Sequence, residues 1–211
     1  MASNQGRAET VNSRPCRAIA AGYAVVWAVA AISPHNRFDW LLENLLVFVC
    51  VGCLVVGHRR RPLSDRSYFL IAIFLSLHAV GAHYTYSLTP PGAWLQDALA
   101  LDRNPYDRFV HFCFGLLLVL PMREIVLRRV RARGCWRAAL PLGVIVAFSA
   151  VYEMLEWGAA MLISPDAAMA FLGTQGDVFD AQKDGALATA GAALGLVAAG
   201  WHDADRKRTG G

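Results

Sequence analysis

The chain has 211 residues, enough for one domain, but 56% of them are hydrophobic and only 17% are charged. A soluble domain is nearer half apolar and a quarter charged, so this composition argues against disorder, a nucleic-acid module and an ordinary cytosolic enzyme. Net charge is +4, and the five cysteines (Cys16, Cys50, Cys53, Cys113, Cys135) are an odd number without secreted-scaffold spacing, so no disulfide framework is implied.

The apolar residues come in blocks, the signature of membrane helices. Six segments are expected, over about residues 17–33, 40–57, 68–88, 107–127, 138–163 and 184–201. Each approaches the ~20 residues that a helix needs to cross a bilayer core, the first least securely. The breaks support the division: Ser33-Pro34-His35-Asn36, Arg59-Arg60-Arg61-Pro62, Thr89-Pro90-Pro91-Gly92, the run Arg128 to Arg133, and Ser164-Pro165-Asp166.

Lysine and arginine set the orientation. Arg7, Arg14 and Arg17, then Arg59, Arg60, Arg61 and Arg66, then Arg123, Arg128, Arg129, Arg131, Arg133 and Arg137, and finally Arg206, Lys207 and Arg208 place 16 of the 20 on one side. Arg37, Arg103, Arg108 and Lys183 remain for the other. The positive-inside rule then puts both termini in the cytoplasm. The expected fold is an all-α integral-membrane six-helix bundle: residues 1–16 a cytoplasmic tail, 17–201 one membrane domain, 202–211 a second cytoplasmic tail. A competing reading makes residues 1–31 a signal peptide ending at Ala28-Val29-Ala30, which leaves five helices.

Ionisable groups inside a bilayer are costly and usually face a bundle interior or a wet cavity. Here they gather in the outer half. Asp39, Glu43 and Asn44 lie where the second segment enters. His78, His83, Tyr84 and Tyr86 lie where the third leaves, and Asp107, Arg108 and His111 open the fourth. Tyr152, Glu153, Glu156 and Trp157 lie in the outer part of the fifth, and Asp177, Asp180, Lys183 and Asp184 precede the sixth. Asp107 and His111 share a helix face at i, i+4, and so do Glu153 and Glu156 at i, i+3. Asp177, Asp180 and Asp184 form one acidic stripe if that stretch is helical, with Lys183 able to neutralise one of them. Taken singly, each has an ordinary structural reading: Asp107 at a helix start favours the dipole, Glu153 pairs with Arg108, and His78 hydrogen-bonds a carbonyl. Their concentration on one side is harder to explain by packing.

Three further features rank lower. Cys50-x-x-Cys53 lies inside an apolar helix and reads as two small buried thiols. Gly191-x-x-x-Gly195 permits close helix approach and places the last helix centrally. Gly173-Thr174-Gln175-Gly176 lacks the lysine and length of a phosphate loop and reads as a turn.

Four strings carry a resemblance: His78-Ala-Val-Gly-Ala-His83-Tyr-Thr-Tyr86, Asn104-Pro-Tyr-Asp107-Arg108-Phe-Val-His111-Phe112, Tyr152-Glu153-Met-Leu-Glu156-Trp157, and Leu172-Gly-Thr-Gln-Gly-Asp177-Val-Phe-Asp180-Ala-Gln-Lys183-Asp184. Together they resemble the YjdF-like family over about residues 35–200. That resemblance implies a multi-pass protein of the bacterial cytoplasmic (inner) membrane, and it assigns no activity. Asp107, Arg108, His111, Glu153 or Glu156, and Asp180 are also similar to the pattern of VanZ-like membrane proteins, which are linked with glycopeptide resistance. This chain departs from that pattern at Asp184, where Asn is usual, and in its glycine spacing.

Three functions are open on these residues. The first is metal-assisted or acid–base chemistry on a lipid-linked substrate in an outward-facing pocket. His78, His83, Asp177, Asp180 and Asp184 are candidate ligands of a divalent metal, and Glu153, Glu156, Asp107 and His111 are candidate catalytic groups. The second is a proton- or cation-responsive transporter, against which stand the lack of an ionisable relay in the inner half and the lack of an internal repeat. The third is a non-catalytic protein that binds lipid or a partner. The expected partners are the bilayer and a lipid-linked substrate, with no nucleic acid.

Overall fold

The structure is a computed structural model that describes residues 14–163, 168 and 171–209, with residues 202–209 described by backbone alone. The described residues form seven helices and no strand: α1 (Arg14–Ala30), α2 (Arg37–Arg60), α3 (Asp65–His83), α4 (Pro90–Ala98), α5 (Tyr106–Leu127), α6 (Trp136–Ala160) and α7 (Asp180–Thr209). Each of the six apolar segments overlaps one of α1, α2, α3, α5, α6 and α7. By length and composition α2, α5 and α6 are candidate membrane spans. Most of the N-terminal tail, the Ser164-Pro165-Asp166 break and the side chains of the C-terminal tail lie outside the described residues.

Local chemistry explains the boundaries. Asn36 caps α2, its Oδ1 accepting from the amides of Phe38 (2.9 Å) and Asp39 (3.3 Å). Ser64 caps α3 by accepting from Ser67 N at 3.2 Å. Thr89-Pro90-Pro91-Gly92, expected to be a break, instead starts α4, because proline suits the first positions of a helix, where no amide donor is needed. The third segment stops at His83 rather than running to residue 88. The chain then turns sharply, with Thr85 at φ 50° and Tyr86 at φ 52°.

The burial pattern is that of a protein solvated by lipid. Large apolar side chains point outward along several helices: Val29 on α1, Phe48 and Val55 on α2, Phe148 and Leu155 on α6, Leu194 and Val197 on α7. The buried set includes Asp39, Glu43, Asn44, His78, Arg103, Asn104, Asp180 and Asp184. Large apolar side chains facing outward around charged groups held inside suit a membrane surface.

α5 is the hub, packing against α3, α6 and α7, while α3 also carries α1 and α2. Small residues let α5 and α7 approach. A Cβ at Gly115 would fall on the Ala188 carbonyl oxygen, and one at Gly191 on the Phe112 carbonyl oxygen. At Gly195 it would lie 2.8 Å from Val119 Cγ1. The Gly191-x-x-x-Gly195 spacing therefore makes the close contact that it permits. α1 is tied into the bundle by Trp27, whose indole donates to Asn44 Oδ1 at 2.7 Å, and by Ala30, whose carbonyl accepts from His83 Nδ1 at 2.9 Å.

All five cysteines are free thiols. Cys50 is half-buried, but Cys53 is exposed on α2, not buried as its apolar surroundings suggest.

Candidate functional site at one end of the helices

The beginnings of α2, α5 and α7 and the ends of α3 and α6 lie together, and the polar groups collect there. Asp107 occupies the first turn of α5, and His111 stands one turn further along the same face. The α5–α7 contact brings Asp184 against this pair. One ligand atom each from Asp107, His111 and Asp184 lie within 4.8 Å of one another. Glu153, from the last two turns of α6, completes the group, its Oε1 lying 3.5 Å from His111 Nε2, with Asp107 Oδ1 at 3.7 Å from the same nitrogen. Asp184 is only 2% exposed. Asp184 Oδ1 and Glu153 Oε1 are buried and have no hydrogen-bond partner among the described residues. Buried polar atoms are normally satisfied, so two unsatisfied carboxylate oxygens beside one imidazole form a donor set suited to a cation.

A ring of ion pairs surrounds this group. Arg103 binds Asp180 and lies 3.9 Å from Asp107. Arg108 binds Asp177 and lies 3.7 Å from Asp180. The expected Glu153–Arg108 pair is therefore replaced by Arg108 with the two aspartates and Glu153 with His111. Lys183 Nζ donates to Asp177 at 2.6 Å, so it neutralises one of the acids as its position suggests. Asp177, however, lies in the turn before α7 and accepts from Phe179 N at 3.1 Å, so the expected helical stripe reduces to Asp180 and Asp184.

Asp177 stands outside the spanning helices, and its carboxyl is lowered from 3.8 to about 2. The largest cause is the Lys183 hydrogen bond, followed by the Phe179 amide and with the Arg108 guanidinium also contributing. Because the folded state favours the ionised form, this contribution is present above about pH 4 and is lost as pH falls toward 2. Melting temperature should fall modestly over that window, and Asp177→Asn should flatten the dependence. An unchanged acid limb in the variant would remove Asp177 from the acid response.

The connecting loops are fixed by Asn104 and Arg103. Asn104 Oδ1 accepts from Tyr106 N at 3.1 Å, and its Nδ2 donates to the Thr89 carbonyl at 3.0 Å. Asn104 and Gln175 bond reciprocally, Asn104 N to Gln175 Oε1 at 2.9 Å and Gln175 Nε2 to Asn104 O at 3.1 Å. Arg103 donates to the carbonyls of Thr174 and Gly173. The Gly173–Gly176 turn is thus clamped against the start of α5. In the sequence Asn104 opens one of the four resemblance strings, and Arg103 reads only as one of the few basic residues of the less basic side. An asparagine just before a helix start was the available signal.

A second polar group adjoins the first. Tyr152, beside His111 with ring centroids 6.0 Å apart, donates to Glu43 Oε2 at 2.8 Å, and Glu156 lies near this pair. His78 Nε2 donates to the Glu43 carbonyl at 3.2 Å, and Tyr86 donates to His78 Nδ1 at 2.6 Å. Both ring nitrogens of His78 are therefore engaged, which suits a positioning role better than metal ligation. The left-handed turn at Thr85 and Tyr86 makes this possible: it folds the Tyr86 ring under Gly81, where a Cβ would come 2.5 Å from the ring. His83 is apart from both groups, with its Nδ1 on α1. Of the residues singled out from sequence, the structure brings together Asp107, His111, Glu153 and Asp184. It sets Glu156 and His78 in the adjoining group and commits Asp177 and Asp180 to arginines.

Comparison with known proteins places the chain among membrane proteins. The family described as "Predicted membrane protein (DUF2238)" matches residues 15–204. The Escherichia coli (strain K12) "Inner membrane protein YjdF" is 41% identical over 167 residues, covering 79% of each chain. No solved structure matches. The chain belongs to the DUF2238 membrane-protein family.

Proposed function

We propose that this family member crosses the bacterial inner membrane six times, through α1, α2, α3, α5, α6 and α7, as one membrane domain over residues 17–201 with both termini cytoplasmic. The carboxylate–histidine end then faces outward. The 16-to-4 distribution of lysine and arginine supports this orientation. Reporter fusions near Asp65 and Arg131 should read cytoplasmic, and fusions near Gly92 and Asp166 external. An external signal at Arg131 would overturn it.

The outward-facing site works as a divalent-cation centre for metal-assisted or acid–base chemistry on a lipid-linked substrate. The observation that carries this is the convergence of Asp107, His111 and Asp184, with the Asp184 Oδ1 buried and unpartnered. Three atoms within 4.8 Å of one another admit a point no more than about 2.8 Å from each, so an inward shift of roughly 0.6–0.8 Å per ligand atom reaches the ~2.0–2.2 Å of a metal bond. One imidazole and two carboxylates suit zinc or manganese. Such an ion would act as a Lewis acid on a phosphoryl or carbonyl oxygen. Glu153, at the edge of this set, is placed to accept a proton, and the Tyr152–Glu43–His78–Tyr86 chain holds the His111 side of the site in position. A substrate anchored in the outer leaflet would reach the site from its membrane side.

Metal analysis of protein purified without chelator tests this reading. About one equivalent of metal is expected in the wild type, and none in His111→Ala with its melting behaviour retained. A metal-free wild type that still complements a deletion strain would overturn the cation reading.

A further inference from the structure

The end opposite the carboxylate cluster opens a cleft of about 450 Å³ between α3, α5, α6 and α7. Arg66, Arg123, Arg128 and Arg137 line it, and Glu124 is the one carboxylate among its described lining residues. Glu124 is already saturated: it accepts from Ser64 N and Ser64 Oγ, each at 2.8 Å, and also binds Ser67 and Arg128. Four guanidiniums thus converge on a single hollow beside a carboxylate whose oxygens are already satisfied.

The walls of the cleft are not all polar. Leu120, Glu124 and Leu127 follow one another on one face of α5 at i, i+4, i+7, and Ala199 of α7 stands across from them. From Leu127 to Leu120 the face runs about 10 Å into the bundle at ~1.5 Å per residue. The cleft thus has a cationic rim at a helix end, where headgroups lie, and an apolar wall leading inward. We propose that it binds the phosphate of an anionic phospholipid, with the first part of an acyl chain along the Leu120 wall. Topology alone requires basic residues on this side but does not require them to converge. Arg59, Arg60, Arg129, Arg131 and Arg133 serve topology from outside the cleft, whereas these four surround one volume of ligand size. The proposal is independent of the cation centre and of its chemistry.

The test uses the full chain in phosphatidylcholine micelles. Addition of 10 mol% phosphatidylglycerol should raise the melting temperature, and native mass spectrometry should retain a bound phosphatidylglycerol. Phosphatidylcholine and millimolar inorganic phosphate should do neither. Arg66→Gln/Arg137→Gln should weaken phosphatidylglycerol binding at least tenfold while melting normally in phosphatidylcholine. Arg129→Gln/Arg133→Gln, with the same loss of net charge outside the cleft, should bind as wild type. If the cleft double variant does not fold, the single variants Arg66→Gln and Arg137→Gln should each weaken binding at least threefold. Equal weakening by both double variants would show a diffuse charge effect and overturn the proposal. So would wild-type binding by the cleft variants, or a wild type indifferent to phosphatidylglycerol. A shift produced by inorganic phosphate alone would overturn the lipid assignment.

Discussion

Gly191→Leu should abolish accumulation of folded protein in the membrane, whereas Gly52→Leu should be silent. At Gly191 a Cβ already falls on the Phe112 carbonyl oxygen and would stand 2.9 Å from Leu116 N, both backbone atoms of α5. Backbone cannot rotate away as a side chain can, so a leucine must separate α5 from α7. Overpacking of a well-packed contact costs roughly 1–3 kcal/mol and sometimes more. Here the displaced helices also hold Asp107, His111 and Asp184 together and bring Arg103 to Asp180. Breaking that buried pair adds to the loss, since an uncompensated buried charge costs roughly 3–5 kcal/mol. Gly52 has nothing within 4 Å of its Cβ position and lies on α2 among outward-facing apolar residues. A fluorescent fusion monitored by size-exclusion chromatography reads both. Normal, monodisperse yield of Gly191→Leu would show that the α5–α7 approach is not required.

The contrast between the two glycines also shows what the sequence could reveal. Long apolar blocks are local, so all six were visible, and Gly191-x-x-x-Gly195 announced a close approach without naming its partner. α4 was hidden because Thr89-Pro90-Pro91-Gly92 is equally good as a break and as a helix start; only packing of Gly92 against Asn104 decides. The end of α3 was overrun because Thr85 and Tyr86 adopt positive φ without the glycine or asparagine that usually signals it. The site was legible as a depth but not as a set of pairs. Helical position placed Asp107, His111, Glu153 and Asp184 at one level. Periodicity could not show that Arg108 turns to Asp177 and Asp180, or that Tyr152 reaches Glu43, 109 residues away. Such pairings are fixed by which helices neighbour one another, and that is a property of the whole chain.

Asp184→Asn is expected to give the largest functional loss for the smallest structural change. Asparagine keeps the shape and one oxygen of aspartate but removes the charge, and Asp184 sits 2% exposed in the second turn of α7 with an unpartnered Oδ1. Burying a charge without a partner is costly, so the neutral amide should leave the metal-free protein as stable as the wild type, or more so. The same change would remove one of the three proposed ligands. Loss of an outer partner of a metal site already weakens affinity by about 10–100-fold, and loss of a direct ligand should exceed that. Asp184→Asn should therefore show an unchanged or raised melting temperature without added metal, no stoichiometric metal, and no complementation of a deletion strain. Glu153→Gln separates the proposed proton-accepting role from ligation: it should retain metal, because the proposed ligands are Asp107, His111 and Asp184, and should still fail to complement. Glu156→Gln should resemble the wild type in metal content, because Glu156 lies beside the Tyr152–Glu43 pair and outside the three proposed ligands. If the carboxylates serve packing alone, melting temperature and complementation should fall together in each variant. An Asp184→Asn protein that complements fully would remove this carboxylate, and the cation centre with it, from the mechanism.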